Sequence, residues 1–238
     1  MSSENQSMSL APDICAYCGR SRSEVELTRD HVAPKALWGG NGQLAPRMLT
    51  VTACEDCQNY WDRDVEYFRN TLVAMVGEAE PTTKKLLHSN VHRSLTKKPS
   101  ARADFVRNPR LIPLERPSGI IELKLAFEPD WQRIHRCVEK IVRGAFFCKS
   151  NRLLSQDVVV HVDCIKADEM ISPAVNTEAF QNLLNEMEDY QGCGDEVFAF
   201  RCTRNPFTPD ETAWVFWFYQ RVIFLAFTCP PDGDPAAS

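Results

Sequence analysis

Apolar residues recur at two periods along this chain, and the two periods divide it into helices and strands. Trp61, Val65, Phe68, Leu72, Met75 and Val76 follow one another at three- and four-residue steps or close to them, the spacing that lines one face of an α-helix. One helix is therefore predicted from near residue 55 to about residue 79, closed by Pro81. Proline lacks the amide proton a helix interior needs. A second helix is predicted over residues 82–95. A third spans residues 131–147, with Ile134, Val138, Ile141, Val142 and Ala145 facing inward, and a fourth spans residues 177–187.

Two-residue alternation or β-branched and aromatic runs predict strands at residues 120–127, 158–162, 197–201, 213–218 and 222–228. Gln220-Arg221 is the expected turn of a final hairpin. Nearer the N-terminus, residues 24–30 lead into a short strand that ends at Asp30-His31, Pro34 breaks it, and residues 48–53 form the returning strand. Residues 98–119 carry Pro99, Pro109, Pro113 and Pro117 and read as a linker or a wrapping segment. Residues 1–13 and 230–238 lack periodicity and read as disordered tails.

Composition narrows the class. At 238 residues the chain can bury a sizeable core. No apolar run approaches the roughly 20 residues of a membrane span, and the polar N-terminus does not read as a signal peptide. Of ten cysteines, four fall into two Cys-x-x-Cys pairs. Cys137, Cys148, Cys164, Cys193, Cys202 and Cys229 are scattered and read as reduced thiols of a cytoplasmic protein. The net charge of −5 is unexpected for a nucleic-acid binder. Its distribution is uneven, however. Lys84, Lys85, Arg93, Lys97 and Lys98 cluster in one stretch, and Arg133, Arg136, Lys140 and Arg143 in another, while acid collects at residues 163–196. Such a chain can present a basic face to phosphate; two solvated helices are the plainer alternative.

The chemistry concentrates between Cys15 and Arg69. Cys15-Ala-Tyr-Cys18-Gly19 and Cys54-Glu-Asp-Cys57 supply four sulfurs, the donor set of a closed, tetrahedral structural zinc site. Between the pairs stands Thr28-Arg29-Asp30-His31-Val32-Ala33-Pro34. A neutral imidazole can take a proton from water at cellular pH, and neighbouring strand residues point to opposite sides and can divide two tasks.

This pattern resembles the HNH endonucleases of the zinc-stapled, ββα-metal type. The resemblance implies a ββα-metal module over residues 14–80; beyond it, charge, proline content and periodicity predict a basic helix and Pro-rich linker over 81–118 and a C-terminal α+β domain with an antiparallel sheet over 119–229, an α+β chain as a whole. The resemblance also implies phosphodiester hydrolysis in nucleic acid, DNA favoured, leaving a 5′ phosphate and a 3′ hydroxyl. His31 would be the general base. Asp30 would hold a divalent metal, Mg²⁺ or Mn²⁺ (Zn²⁺ or Ni²⁺ in vitro), with Asn59, Asp62 and Gln58 as candidate helix ligands and Asp64 further round. Helix-terminal decoration is the alternative for these acids. Arg29, Lys35, Lys84, Lys85, Arg93, Lys97 and Lys98 are the candidate nucleic-acid contacts.

The family's middle Asn has no counterpart: Ala45-Pro46-Arg47-Met48 stands there, with Asn41 earlier. A catalytically idle zinc module that binds nucleic acid, and a protein-interaction module, are the competing readings. Residues 133–144 and 214–228 resemble the C-terminal half of poorly characterised bacterial HNH proteins. That half could select the target, bind a partner or form a homodimer. His88 and His92, four apart, have metal-ligand spacing but no obvious third ligand. The run Trp214 to Tyr219 either stacks bases or, more simply, buries a hairpin face.

Overall fold

A computed structural model describes residues 13–39, 48–115, 118–166, 178–189 and 196–230. Strand β1 (Leu27–His31) pairs antiparallel with β2 (Thr50–Cys54), so that Leu27 faces Cys54 and His31 faces Thr50. β1 starts later than the apolar pattern suggests. Glu24 is held in a turn, its carboxylate accepting from the Ser21 amide and hydroxyl at 2.7 Å each. A short 3₁₀ turn (Lys35–Trp38) follows Pro34.

Helix α1 (Glu55–Asp62) begins directly at the second cysteine pair. The single helix expected over residues 55–79 is interrupted, and α2 (Val65–Val76) starts a new segment. The break lies at Arg63-Asp64. The Asp64 carboxylate is buried there, accepting from Arg133 Nε at 2.6 Å and from Arg136 at 2.7 Å. A charged side chain anchored inward fixes the backbone that the apolar stripe alone would have continued through.

Pro81 opens the next helical stretch, as it can at a first helical position. It runs through α3 (Pro81–Leu86), one π turn (Leu87–Val91) and α4 (His92–Lys97). The Pro-rich stretch read as linker or wrap carries α5 (Pro99–Phe105) and β3 (Arg110–Glu115), which pairs with β4 (Ile121–Ala126). Phe105 is buried, its ring 6.0 Å from Tyr67 and 4.8 Å from Phe127.

The long helix α6 (Trp131–Ser150) has Asp130 as its cap and Asn151 in the left-handed region at its end. Ile134, Val138, Ile141, Val142 and Ala145 are all buried, as their spacing requires. Beyond it, β5 (Val159–Lys166), β6 (Glu188–Asp189), β7 (Phe198–Arg204), β8 (Thr212–Phe218) and β9 (Val222–Cys229) form an antiparallel sheet of order β5-β9-β8-β7-β6. Phe198, Phe200, Trp214, Phe216, Phe218 and Phe224 make a buried aromatic layer on one face of the sheet. Phe68 of α2 meets it edge-on, 5.4 Å from Phe218. The aromatic run is thus a core face and not a base-stacking platform. Helix α7 (Glu178–Glu186) covers the other face, where Met187, Val215 and Ile223 are buried.

The β8–β9 turn centres on Tyr219 and Gln220 instead of Gln220-Arg221. Both have positive φ, 51° and 56°, and the Arg221 amide closes the turn on the Phe218 carbonyl. This is the mirror-image turn that hairpin twist favours, normally built with glycine or asparagine. Tyr219 sustains it because its buried hydroxyl donates to the Leu37 carbonyl at 2.9 Å. That bond ties the sheet to the 3₁₀ turn after His31. Residues of α1, α2, α6 and the sheet belong to one cluster of buried apolar side chains.

Candidate functional site

The first cysteine pair sits in a tight turn closed by the Gly19 amide donating to the Cys15 carbonyl. Gly19 has φ 78°, and a Cβ there would lie 3.1 Å from Leu153, so glycine is required on both counts. The second pair lies at the end of β2 and the start of α1. The Ala16 amide donates to the Thr52 carbonyl at 2.8 Å and the Cys54 amide to Cys15 Sγ at 3.4 Å, which brings the pairs together. The four Sγ atoms of Cys15, Cys18, Cys54 and Cys57 all lie within 4.8 Å of one another, and Cys18 and Cys54 are 3.8 Å apart. Zinc–thiolate bonds of about 2.3 Å in a tetrahedron place sulfurs about 3.8 Å apart, so the cluster fits the ion.

Contact with the Cys57 thiol draws Cys15 far toward the thiolate, helped by the Cys54 amide and opposed by burial, and the same contact pushes Cys57 the other way. Arg20 adds a layer. Its guanidinium donates to Cys18 Sγ at 3.4 Å, Cys54 Sγ at 3.1 Å and Asp56 at 2.7 Å, offsetting the negative charge that four thiolates bring. The cysteines form a closed structural metal site suited to zinc; it has no open position for catalysis.

Asp30 and His31 end β1. The Asp30 carboxylate points inward and is 8% exposed. It accepts from Tyr17 Oη at 2.9 Å, the His31 amide at 2.8 Å and Lys140 Nζ at 3.0 Å. Burial, then the negative charge of Asp30, raises the Tyr17 pKa well above the phenol's usual value, so Tyr17 stays a donor. The His31 ring is partly buried and makes no hydrogen bond among the described residues. Its pKa is lowered, first by burial, then by Lys35, with Asp30 opposing and Arg29 and Lys140 adding. The imidazole is therefore neutral at neutral pH and free to accept a proton.

Lys140 is the residue the sequence pattern did not single out for this site. It belongs to α6, is 1% exposed, and also donates to Asp62 Oδ1 at 2.7 Å. Arg133, Arg136, Lys140 and Gly144 recur at helical spacing on one face of α6. Along that face Arg133 and Arg136 hold Asp64, Lys140 holds Asp62 and Asp30, and Gly144 lies against the residue after His31. A Cβ at Gly144 would come within 3.1 Å of Val32 and 3.4 Å of Tyr17 Oη. The spacing of three cations and a glycine was visible in the sequence, but their acidic partners lie up to 110 residues away.

The other candidates disperse. Gln58 Nε2 donates to Thr28 Oγ1 at 2.6 Å and the Ala53 carbonyl at 3.1 Å, fastening α1 to both strands. Asn59 is exposed, and its side chain makes no hydrogen bond among the described residues. Arg29 and Lys35 are exposed beside His31 and form no ion pair among the described residues. Lys84 pairs with Glu78 at 3.6 Å and Lys98 with Glu66 at 2.9 Å. Lys85, Arg93 and Lys97 are exposed without an ion pair among those residues. His88 is bound to Glu78 at 2.8 Å. Among the described residues the four cysteines are the sole group of three or more His, Cys, Asp or Glu placed to hold a metal. A divalent ion bridging Asp30 and Asp62 does not fit beside the Lys140 ammonium, which sits within 3.0 Å of both carboxylates. Asn41 and residues 45–47, around the family's middle Asn, lie outside the described residues.

A β-hairpin and a helix brought together by four clustered cysteines, with Asp-His at the strand end, make up the N-terminal module. Residues 15–71 match the family model described as HNH endonuclease, the match running from the first cysteine into α2. No curated protein and no solved structure matches the chain. Among the described residues no helix is long and apolar enough to cross a membrane.

Proposed function

We propose that this chain hydrolyses phosphodiester bonds in nucleic acid, DNA being the favoured substrate, with His31 as the general base. The observation that carries this reading is the partly buried His31 ring, without a hydrogen bond among the described residues, at the strand end of a module that matches the HNH endonucleases. In the proposed reaction His31 takes the proton of an attacking water. Its lowered pKa keeps the ring in the accepting form at neutral pH. Asp30 fixes the strand end by accepting from the His31 amide, and Tyr17 and Lys140 fix Asp30. Arg29 and Lys35 stand exposed beside the imidazole and offer the first positive charge to an incoming phosphate. By the family resemblance, the products carry a 5′ phosphate and a 3′ hydroxyl, and a single site nicks one strand. A homodimer would be needed to cut both.

Mg²⁺ or Mn²⁺ would supply further charge at the leaving oxygen. The Lys140 ammonium lies within 3.0 Å of Asp30 and Asp62, the carboxylates that would hold such an ion. The test is cleavage of supercoiled plasmid and of single-stranded RNA by the intact, zinc-loaded chain with Mg²⁺, Mn²⁺ or chelator. The expected result is nicked plasmid that His31→Ala lowers by about 10²–10⁴-fold. No cleavage of either polymer under any condition would overturn the reading. Salt-sensitive binding without cleavage would identify an idle binding module instead.

A further inference from the structure

The Lys140 ammonium has three N–H donors and three carboxylate oxygens around it: Asp62 Oδ1 at 2.7 Å, Asp30 Oδ2 at 3.0 Å and Asp30 Oδ1 at 3.3 Å. It is buried, although Asp62 itself is 51% exposed at the side chain. The cation is thus enclosed by the two acids on which a bridging divalent ion would depend. Its delivery is built into α6. Gly144, one turn on, permits the helix to lie against Val32 and Tyr17, and Arg136 and Arg133, one and two turns back, anchor it on Asp64. A shorter or neutral side chain at position 140 would leave Asp30 buried among donors too few to balance it.

We propose that Lys140 is the resident cation of the Asp30–Asp62 seat, so that this chain excludes Mg²⁺ and Mn²⁺ from the seat while α6 is docked. The ammonium supplies one positive charge where a divalent ion would supply two. It sits where such an ion would bridge the two carboxylates, and like charges at that separation expel each other. Ion and lysine therefore compete for the same oxygens. The seat takes a divalent ion only when Lys140 is removed or withdrawn. The inference rests on the reading of Asp30 as the metal-facing acid of the nuclease site.

The experiment is Mn²⁺ binding, followed by electron paramagnetic resonance on the full zinc-loaded chain without nucleic acid. Wild type, Asp62→Asn, Lys140→Met, Lys140→Gln, and each neutral variant combined with Asp62→Asn are compared. Wild type is expected to leave Mn²⁺ free. The two neutral variants are expected to take up one Mn²⁺ per chain, lost again with Asp62→Asn. Lys140→Gln keeps a hydrogen-bond donor to Asp30 and serves where Lys140→Met fails to fold. The proposal is overturned if wild type binds a Mn²⁺ that Asp62→Asn abolishes, or if a folded neutral variant gains none. Because no cleavage is read, failure here leaves the proposed hydrolysis to be judged by the plasmid assay alone.

Discussion

The His31 imidazole loses its proton more readily than an exposed histidine, because burial and the nearby Lys35 disfavour the charged ring more than Asp30 favours it. A general base works in its neutral form. Cleavage should therefore rise with pH through a limb lying below about 6.5, the ordinary histidine value, and be level above it. A pH–rate profile of plasmid nicking checks this; a limb at or above the ordinary value would contradict it. Tyr17 acts at the same scale. Its hydroxyl is one of the donors that satisfy the buried Asp30 carboxylate. Tyr17→Phe should cost about 1–3 kcal/mol, read by urea denaturation. The two cysteine pairs and the candidate Asp30-His31 dipeptide were legible in the sequence because each motif is local, its members adjacent or three residues apart. Tyr17 and Lys140 were not legible as partners of Asp30. Tyr17 stands inside the first cysteine pair and reads as filler, while Lys140 reaches Asp30 only through the packing of α6.

Helix α6 is the element that converts the hairpin and α1 into a site. Its apolar stripe was legible from periodicity, and every inward position in that stripe is buried. Its polar stripe was not, since a row of cations on a helix normally faces solvent. The same limit explains the break between α1 and α2. Apolar spacing continues across Arg63-Asp64, and only the two arginines of α6 reveal that Asp64 points inward. Asp64→Asn should destabilise the fold by about 2 kcal/mol, less than for a wholly buried triad because both arginines are about a quarter exposed. Gly144→Ala tests the close approach. Helix propensity favours alanine by about 1 kcal/mol, but overpacking against the buried Val32 costs about 1–3 kcal/mol. A net loss of roughly 1 kcal/mol is expected by thermal denaturation; a gain would show that Val32 yields.

Across the whole molecule, the zinc cluster and the aromatic layer support the hairpin from opposite ends. Four thiolates hold its base, and the Tyr219 hydroxyl holds the turn beyond His31 through Leu37. The antiparallel sheet was legible from alternation. The Tyr219-Gln220 turn was not, because its strained backbone is stabilised by a tertiary bond and not by the residues that usually mark such turns. Removing zinc with a chelator, or by Cys54→Ser, should loosen the hairpin and abolish cleavage. A loss of about 3 kcal/mol would lower the melting temperature by roughly 6–12 °C in a chain of this size; an unchanged melting curve would show the metal to be dispensable. The most direct measurement is plasmid nicking beside plasmid binding, wild type against His31→Ala, at equal zinc content. The account predicts that His31→Ala still retards the plasmid but leaves it supercoiled. Nicking by His31→Ala at the wild-type rate would contradict it.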